Sequence, residues 1–181
     1  MIKKVKICGV SDPYTLDYIL NHPYPPKFIG FICNYEKIKR FIKFEKLKNL
    51  INVDKRKVKF VSVLVNPSND FLEKIKNLNF DYYQLYDVDP ERSREIKKKY
   101  NKKIISSLTI SDKADVDEFK KYSGISDIIL FDSKGYHESK SFDHNLLNNI
   151  PGGLNKMIAG NIQIDDIHNL QYKDYIIDLS G

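Results

Sequence analysis

The sequence predicts an α/β protein built as a compact (β/α)8 TIM barrel, a single domain over 1–181 with the eighth helix missing. Three observations carry that expectation. Short β-rich apolar runs alternate with longer amphipathic stretches along the whole chain, the pattern of βα units around a parallel sheet. Eight strand segments can be read, whereas an open doubly wound sheet usually carries fewer and would expose two edges. At 181 residues, 41% hydrophobic and 30% charged, the chain is long enough for one sizeable core and short for two.

Taken in order, the strand segments are "VKICG" (5–9), "FIGFIC" (28–33), "FVSVLV" (60–65), "YYQLY" (82–86), "KIISSL" (103–108), "IILFDS" (128–133), "KMIAG" (156–160) and "YIIDLS" (175–180). Helical stretches lie between them, among them "PSNDFLEKIKNL" (67–78), "DPERSREIKKKY" (89–100) and "SDKADVDEFKKY" (111–122). Each begins near Ser, Asp or Pro, as helix N-termini prefer. A typical barrel of this kind takes about 250 residues, so this one is compressed. The sixth and seventh helices, "SFDHNLLNNI" (141–150) and "IDDIHNL" (164–170), are short, and the sequence stops at Gly181 straight after the last strand. Without an eighth helix the outer side chains Val5, Ile7, Ile177 and Leu179 lose a covering layer. The gap is expected to be closed by a shifted neighbouring helix or by a second copy of the chain, so a homodimer is one expectation.

Composition excludes several classes. No apolar run approaches the roughly 20 residues of a membrane helix, and "MIKKVKICGV" holds too short an apolar region for a secretory signal, which predicts a cytoplasmic protein without a membrane partner. Two cysteines make no disulfide framework, and no Cys/His spacing resembles a zinc site, so reduced thiols and no metal are expected. The formal charge of +6 invites a nucleic-acid reading. Lys, Asn, Ile and Tyr are enriched together, however, while Trp is absent, a pattern that biased base composition of the coding DNA produces. A small anionic substrate suits a basic protein equally, and no nucleic-acid partner is expected.

In a barrel the reacting groups lie at the C-terminal ends of the strands. Cys8 ends the first segment, Asp132 the sixth, and Asp178 lies late in the eighth. Side chains alternate along a strand, so Cys8 shares a face with Lys6, Asp132 with Leu130, and Asp178 with Ile176 and Ser180. Pointing inward, those faces place a thiol, an ammonium and two carboxylates in the barrel mouth. A strand-end carboxylate by itself more often caps the next loop, and Cys33, without such company, reads as packing.

These residues also resemble a family. "VKICGVSD" is similar to the opening of phosphoribosylanthranilate isomerases, whose first strand reads Lys-Ile-Cys-Gly. "KRFI" (39–42) resembles their Lys-Arg-Tyr-Ile/Val segment, "VSVLVN" (61–66) their Val-Gly-Val-Phe-Val-Asn, and "YYQLYD" (82–87) their Val-Gln-Leu-His-Gly. "ILFDS" (129–133), "SFDH" (141–144) and "IIDLSG" resemble Leu-Leu-Asp-Ser, Thr-Phe-Asp-Trp and Val-Asp-Val-Ser-Ser. The resemblance implies a cofactor-free Amadori rearrangement of a small phosphorylated, anionic aminoaldose to its aminoketose, needing one acid and one base. It assigns Asp132 as general acid, Cys8 as general base and Arg40 as the clamp on the anthranilate carboxylate. Asp178, Lys6 and Gln84 become further substrate-binding residues. A thiol ordinarily titrates near 8.5, and Lys6 is expected to lend Cys8 thiolate character. Phosphate is expected on backbone donors around Gly160, Asn161, Ser180 and Gly181. Some segments depart from the pattern: Gly160-Asn161 replaces a Gly-Gly pair, Tyr86-Asp87 replaces His-Gly, and "KGYHESK" (134–140) replaces a glycine-rich run. A related isomerase for another phosphoribosyl-amine, or a degenerate barrel serving as a binding or assembly subunit, stay open on these grounds.

The remaining marked residues read as structure. Pro23, Pro25 and Pro26 form a stiff loop, "DKRKVK" (54–59) a solvated one, and His22, His137 and His168 lie at the surface. His144 reads as packing. "IPGGLNK" (150–156) precedes a strand and so reads as a turn at the end of the barrel opposite the chemistry.

Overall fold

The β-rich runs pair in sequence order, each strand parallel to the next. The computed structural model describes residues 4–133, 141–148, 150–163 and 174–180. Strands β1 (Val5–Cys8), β2 (Phe28–Ile32), β3 (Lys59–Val65), β4 (Tyr82–Tyr86), β5 (Lys103–Ile110), β6 (Ile128–Ser133), β7 (Lys156–Ile158) and β8 (Tyr175–Ser180) form a closed barrel, with β8 returning to β1. Closure leaves no strand edge unpaired. Alternation sorts the apolar residues into two layers. Phe28, Ile32, Val61, Val63, Ile105, Leu130, Met157 and Ile176 fill the interior. Ile29, Phe31, Phe60, Leu64, Tyr83 and Ile104 face outward into the helices. Ile129, Phe131, Ile158 and Ile177 continue that outer layer on the other side of the barrel.

The helices start where the sequence supplies caps. Asp12 accepts from Thr15 N–H at the head of α1 (Pro13–Asn21), Ser68 from Phe71 N–H at α3 (Asn69–Ile75), and Asp89 from Arg92 N–H at α4 (Pro90–Tyr100). Helix α2 (Phe44–Leu50) starts without a side-chain cap and is held by buried Leu47 and Leu50. The helix expected over 111–122 divides into α5 (Lys113–Asp117), started by a reciprocal Asp112/Asp115 capping box, and a 3₁₀ segment Glu118–Tyr122 that buries Phe119. Over 141–150 the described residues form one 3₁₀ turn, His144–Leu147, anchored by buried Leu147; His144 stacks edge-on against Phe142 at 4.8 Å. The expected helix 164–170, with His168, lies outside the described residues, as do His137 and the segment 134–140.

No helix follows β8 among the described residues, yet the outer face there is not bare. Ile177 is completely buried within the outer cluster, and Val5, Ile7 and Leu179 are half-buried. The large apolar side chains most exposed among the described residues are instead Tyr14, Tyr18 and Tyr24, on and after α1. At the end of the barrel away from the strand C-termini, Lys55 and Lys59 both pair with Asp81, at 2.7 and 3.2 Å, so "DKRKVK" is an ion-paired loop that buries Val58 and runs into β3 at Lys59. The turn before β7 lies at the same end. No described helix is long and apolar enough to cross a membrane.

Candidate active site

The site grows from the junction of β1 and β2. Cys8 ends β1 on the inner face, and Gly9 follows with φ +84°, a conformation that glycine adopts without strain. A side chain at Gly9 would also collide with Arg40, whose Cδ and Nη1 pass 2.7 Å from the place a Cβ would take. The glycine therefore lets the guanidinium cross the end of β1, where Arg40 Nη1–H donates to the Cys8 carbonyl at 3.1 Å. Gly30 does similar service one strand over. A Cβ there would lie 3.0 Å from both Cys8 Sγ and Lys6 Cε, so the thiol and the ammonium stand in the space that Gly30 leaves open.

The register of β1 against β8 sets Lys6 beside Asp178 and Cys8 beside Ser180. Lys6 Nζ lies 2.6 Å from Asp178 Oδ2, and both side chains are almost wholly buried. Burial by itself would depress the Lys6 ammonium, but the Asp178 carboxylate and the Cys8 sulfur outweigh it and lift the pKa above the ordinary lysine value. Asp178 is pushed up by burial, against the pull of Lys6. Its other oxygen, Oδ1, has no hydrogen-bond partner among the described residues. Burial likewise pushes the Cys8 thiol up, and Lys6 only partly offsets this. Lys6 thus pulls the thiol toward thiolate in the expected direction, by charge and by hydrogen bond, but desolvation outweighs it.

Across the mouth, Asp132 of β6 accepts from Ser133 N–H on Oδ1 at 2.8 Å and from the Tyr86 hydroxyl on Oδ2 at 2.7 Å. Burial raises its pKa despite these donors and Lys6. A carboxyl held upward in this way keeps its proton to higher pH, which suits an acid. Cys33, by contrast, is buried behind the barrel wall, and its thiol is pushed up to about 12 by burial.

One concave mouth, with about 700 Å³ of empty space including the open solvent above it, gathers Cys8, Arg40, Asp132, Asp178, Gly160 and Ser180. Tyr35, Ile38, Val63, Val65 and Ala159 give it an apolar side. Lys6 and Gln84, expected to touch substrate, are fully buried below this surface, so the structure places them beneath residues that line it. Gly160 has φ +95°, and a Cβ would meet Ser133 Cβ at 2.9 Å. Asn161 follows with φ +52° and is exposed; its side-chain oxygen accepts from Gln163 at 2.7 Å. Gly181 lies outside the described residues. Among the described residues, no three His, Cys, Asp or Glu side chains converge as a metal site requires.

Residues 5–181 match the family model described as N-(5'phosphoribosyl)anthranilate (PRA) isomerase. The chain belongs to that family. Among PRA isomerases it is 32% identical to the enzyme of Rhizobium etli over 174 residues, covering 91% of this chain and 77% of the relative. It is also 32% identical to that of Rhizobium rhizogenes, covering 90% and 76%. The barrel superposes on a structure of monomers generated from the dimeric phosphoribosylanthranilate isomerase of Thermotoga maritima with a TM-score of 0.80 at 20% identity, covering 99% of this chain and 87% of the other. Another PRA isomerase structure, solved in complex with reduced 1-(o-carboxyphenylamino)-1-deoxyribulose 5-phosphate, gives a TM-score of 0.76 at 20% identity over 100% and 88%.

Within this PRA isomerase barrel, sequence reasoning passed over Tyr35, Ile38, Ser133 and Tyr86 as site residues. Tyr35 and Ile38 sit in the same loop as Arg40, which is tied back by a bridge between Ile32 and Phe41. That proximity in sequence was the available signal. Tyr86 was visible only as a departure from His, without an indication of what its hydroxyl touches.

Proposed function

We infer that the protein catalyses the PRA isomerase reaction, the rearrangement of N-(5-phosphoribosyl)anthranilate to its 1-deoxyribulose 5-phosphate aminoketose, without a cofactor and in the cytoplasm. The observation that carries this reading is the convergence of Cys8, Arg40, Asp132 and Asp178 on one mouth in a member of this family.

Asp132 gives its proton to the furanose ring oxygen as the C1′–O bond breaks and the nitrogen lone pair forms the C1′=N bond. Cys8, as thiolate, then takes the proton from C2′, and that electron pair makes the C1′=C2′ enolamine. Tautomerisation moves the enol proton to C1′ and gives the C2′ ketone, and the proton held by Cys8 is returned to Asp132 through solvent, restoring thiolate and acid for the next turnover. The raised Asp132 carboxyl retains the proton it must give, and the raised Cys8 thiol makes its thiolate scarce but strongly basic. Arg40 offers its planar fork to the anthranilate carboxylate, with Tyr35 and Ile38 beside the ring. Asp178, which lines the floor of the mouth, accepts from the substrate amine or a ribose hydroxyl. Phosphate binds at the opposite side of the mouth, on backbone donors around Gly160, Asn161, Ser180 and Gly181. Lys6 and Gln84 support this site from below.

A homodimer forms part of this reading, supported by the exposed Tyr14, Tyr18 and Tyr24 on one face; a strict monomer by light scattering removes it. The catalytic reading is tested by complementing a tryptophan auxotroph that lacks this isomerase, and by turnover of the purified protein on N-(5-phosphoribosyl)anthranilate. Growth and turnover are expected. Tight binding of the reduced product analogue without turnover would make the barrel a binding subunit instead.

A further inference from the structure

Tyr86 closes β4 on the inner face and is 8% exposed. Two residues earlier on the same face, Gln84 is wholly buried, and its Nε2 lies 3.2 Å from the Tyr86 hydroxyl. An amide nitrogen only donates, so the phenolic oxygen accepts there and directs its own hydrogen to Asp132 Oδ2, 2.7 Å away. The other carboxyl oxygen is held by Ser133 N–H. Asp132 is thus gripped by one donor on each oxygen, from β4 and from β6, which fixes the plane of the group. A donor that reaches a carboxylate in a desolvated site matters more than the same bond in water.

We propose that Tyr86 is a positioning residue: its hydroxyl, aimed by Gln84, holds Asp132 in the plane from which it delivers a proton and steadies the carboxylate left behind. The proposal rests on the reading of Asp132 as the general acid. Tyr86 acts through Asp132 and not on the sugar. Burial holds its own phenol well above the ordinary tyrosine value, so it stays a neutral donor throughout the reaction. The other titratable groups gathered around the pair are Lys6 and Cys8 on β1 and Asp178 on β8. All three side chains are unaltered in a variant that deletes only the Tyr86 hydroxyl, which removes its bond to Asp132 together with the acceptor of Gln84 Nε2.

Tyr86→Phe tests the role, because it keeps the ring and deletes the donor. Turnover is expected to fall roughly tenfold, with KM little changed. A donor to the charged form favours that form, so its loss moves the Asp132 titration to higher pH. The Asp132 ionisation shapes one limb of the kcat/KM profile, and that limb moves to higher pH as well. A ¹³C-carboxyl NMR titration of the free protein, with the Asp132 signal assigned by its disappearance in Asp132→Asn, reads the same shift without any reaction. Gln84→Met leaves both partners but no longer aims the hydroxyl; it should shift titration and limb in the same direction by less, and it serves if Tyr86→Phe does not fold. Lower turnover with neither the limb nor the carboxyl signal moved means a merely structural role and overturns the proposal. Inactive wild-type protein removes the isomerase reading and this role with it, whatever the carboxyl signal does. Active wild type with an unmoved carboxyl signal in the variants overturns this proposal alone.

Discussion

Replacing Lys6 by methionine keeps the length of the side chain and deletes the ammonium that sits 2.6 Å from Asp178 Oδ2. At that distance and an effective dielectric constant near 20, the attraction is about 6 kcal/mol. Desolvating two ions costs several kcal/mol each, so the pair as a whole contributes little net stability. Removing one partner is different, since it strands the other, and the expected loss is about 3–5 kcal/mol. With a urea dependence of about 2 kcal/mol/M for a chain of this size, the midpoint should fall by roughly 2 M. The stranded carboxylate can escape part of the penalty by protonating, so the loss should shrink between pH 7 and pH 5. In the double variant Lys6→Met/Asp178→Leu nothing charged is left to strand, and stability should return to within about 1 kcal/mol of the wild type. Urea unfolding of the two single variants and the double variant at both pH values is the assay. Single losses that simply add in the double variant, or a Lys6→Met penalty that ignores pH, would refute the picture of a buried pair whose attraction and desolvation nearly cancel.

Cys8→Ala and Asp132→Asn should each lower turnover by about 10²–10⁴-fold with the fold retained, read by steady-state kinetics and circular dichroism; near wild-type turnover in both would remove the acid/base assignment. Arg40→Ala should weaken binding of the reduced product analogue more than that of the same molecule without its ring carboxylate, and equal weakening by calorimetry would clear Arg40 of that contact. Gly160→Ala combines a left-handed backbone with a 2.9 Å clash on Ser133 and should cost about 1–2 kcal/mol from backbone strain alone, with weaker inorganic phosphate binding; unchanged phosphate titration would place the phosphate elsewhere. The raised carboxyl of Asp132 binds its proton more tightly in the folded state than in the unfolded one. Its stabilising contribution is full below the ordinary carboxylate value near 4 and is lost as pH rises through its raised value, so acidification across that window should favour the folded barrel through this group, read as a rising melting temperature for wild type relative to Asp132→Asn.

The barrel was legible because eight short apolar runs carry both faces of a sheet that is covered inside and out, and a parallel strand of that kind needs no alternation to be seen. Cys8, Asp132 and Asp178 were legible for a similar reason, since strand ends and side-chain parity are local properties. Parity tells which way a side chain points but not how deep it lies. Lys6 and Cys8 share a face, yet one is sealed under Asp178 and the other opens to the mouth, a difference set by the stagger of β1 against β8. Gln84 was misplaced by the same blindness to depth. The Tyr86–Asp132 contact joins residues 46 positions apart, and no pattern near either residue announces it. The 111–122 segment read as one helix because its caps and polarity are continuous; the tightening at Glu118 follows from where Phe119 must be buried, which is tertiary information.

The passage of Arg40 over Gly9 ties together two things that could have been separate. The guanidinium bonded to the Cys8 carbonyl also faces the mouth, so the 34–41 loop and the strand end that carries the sulfur are joined at the place where the proposed substrate would lie. In the proposed reading, a change in that loop which retargets recognition also loosens a contact on the strand end beneath the sulfur.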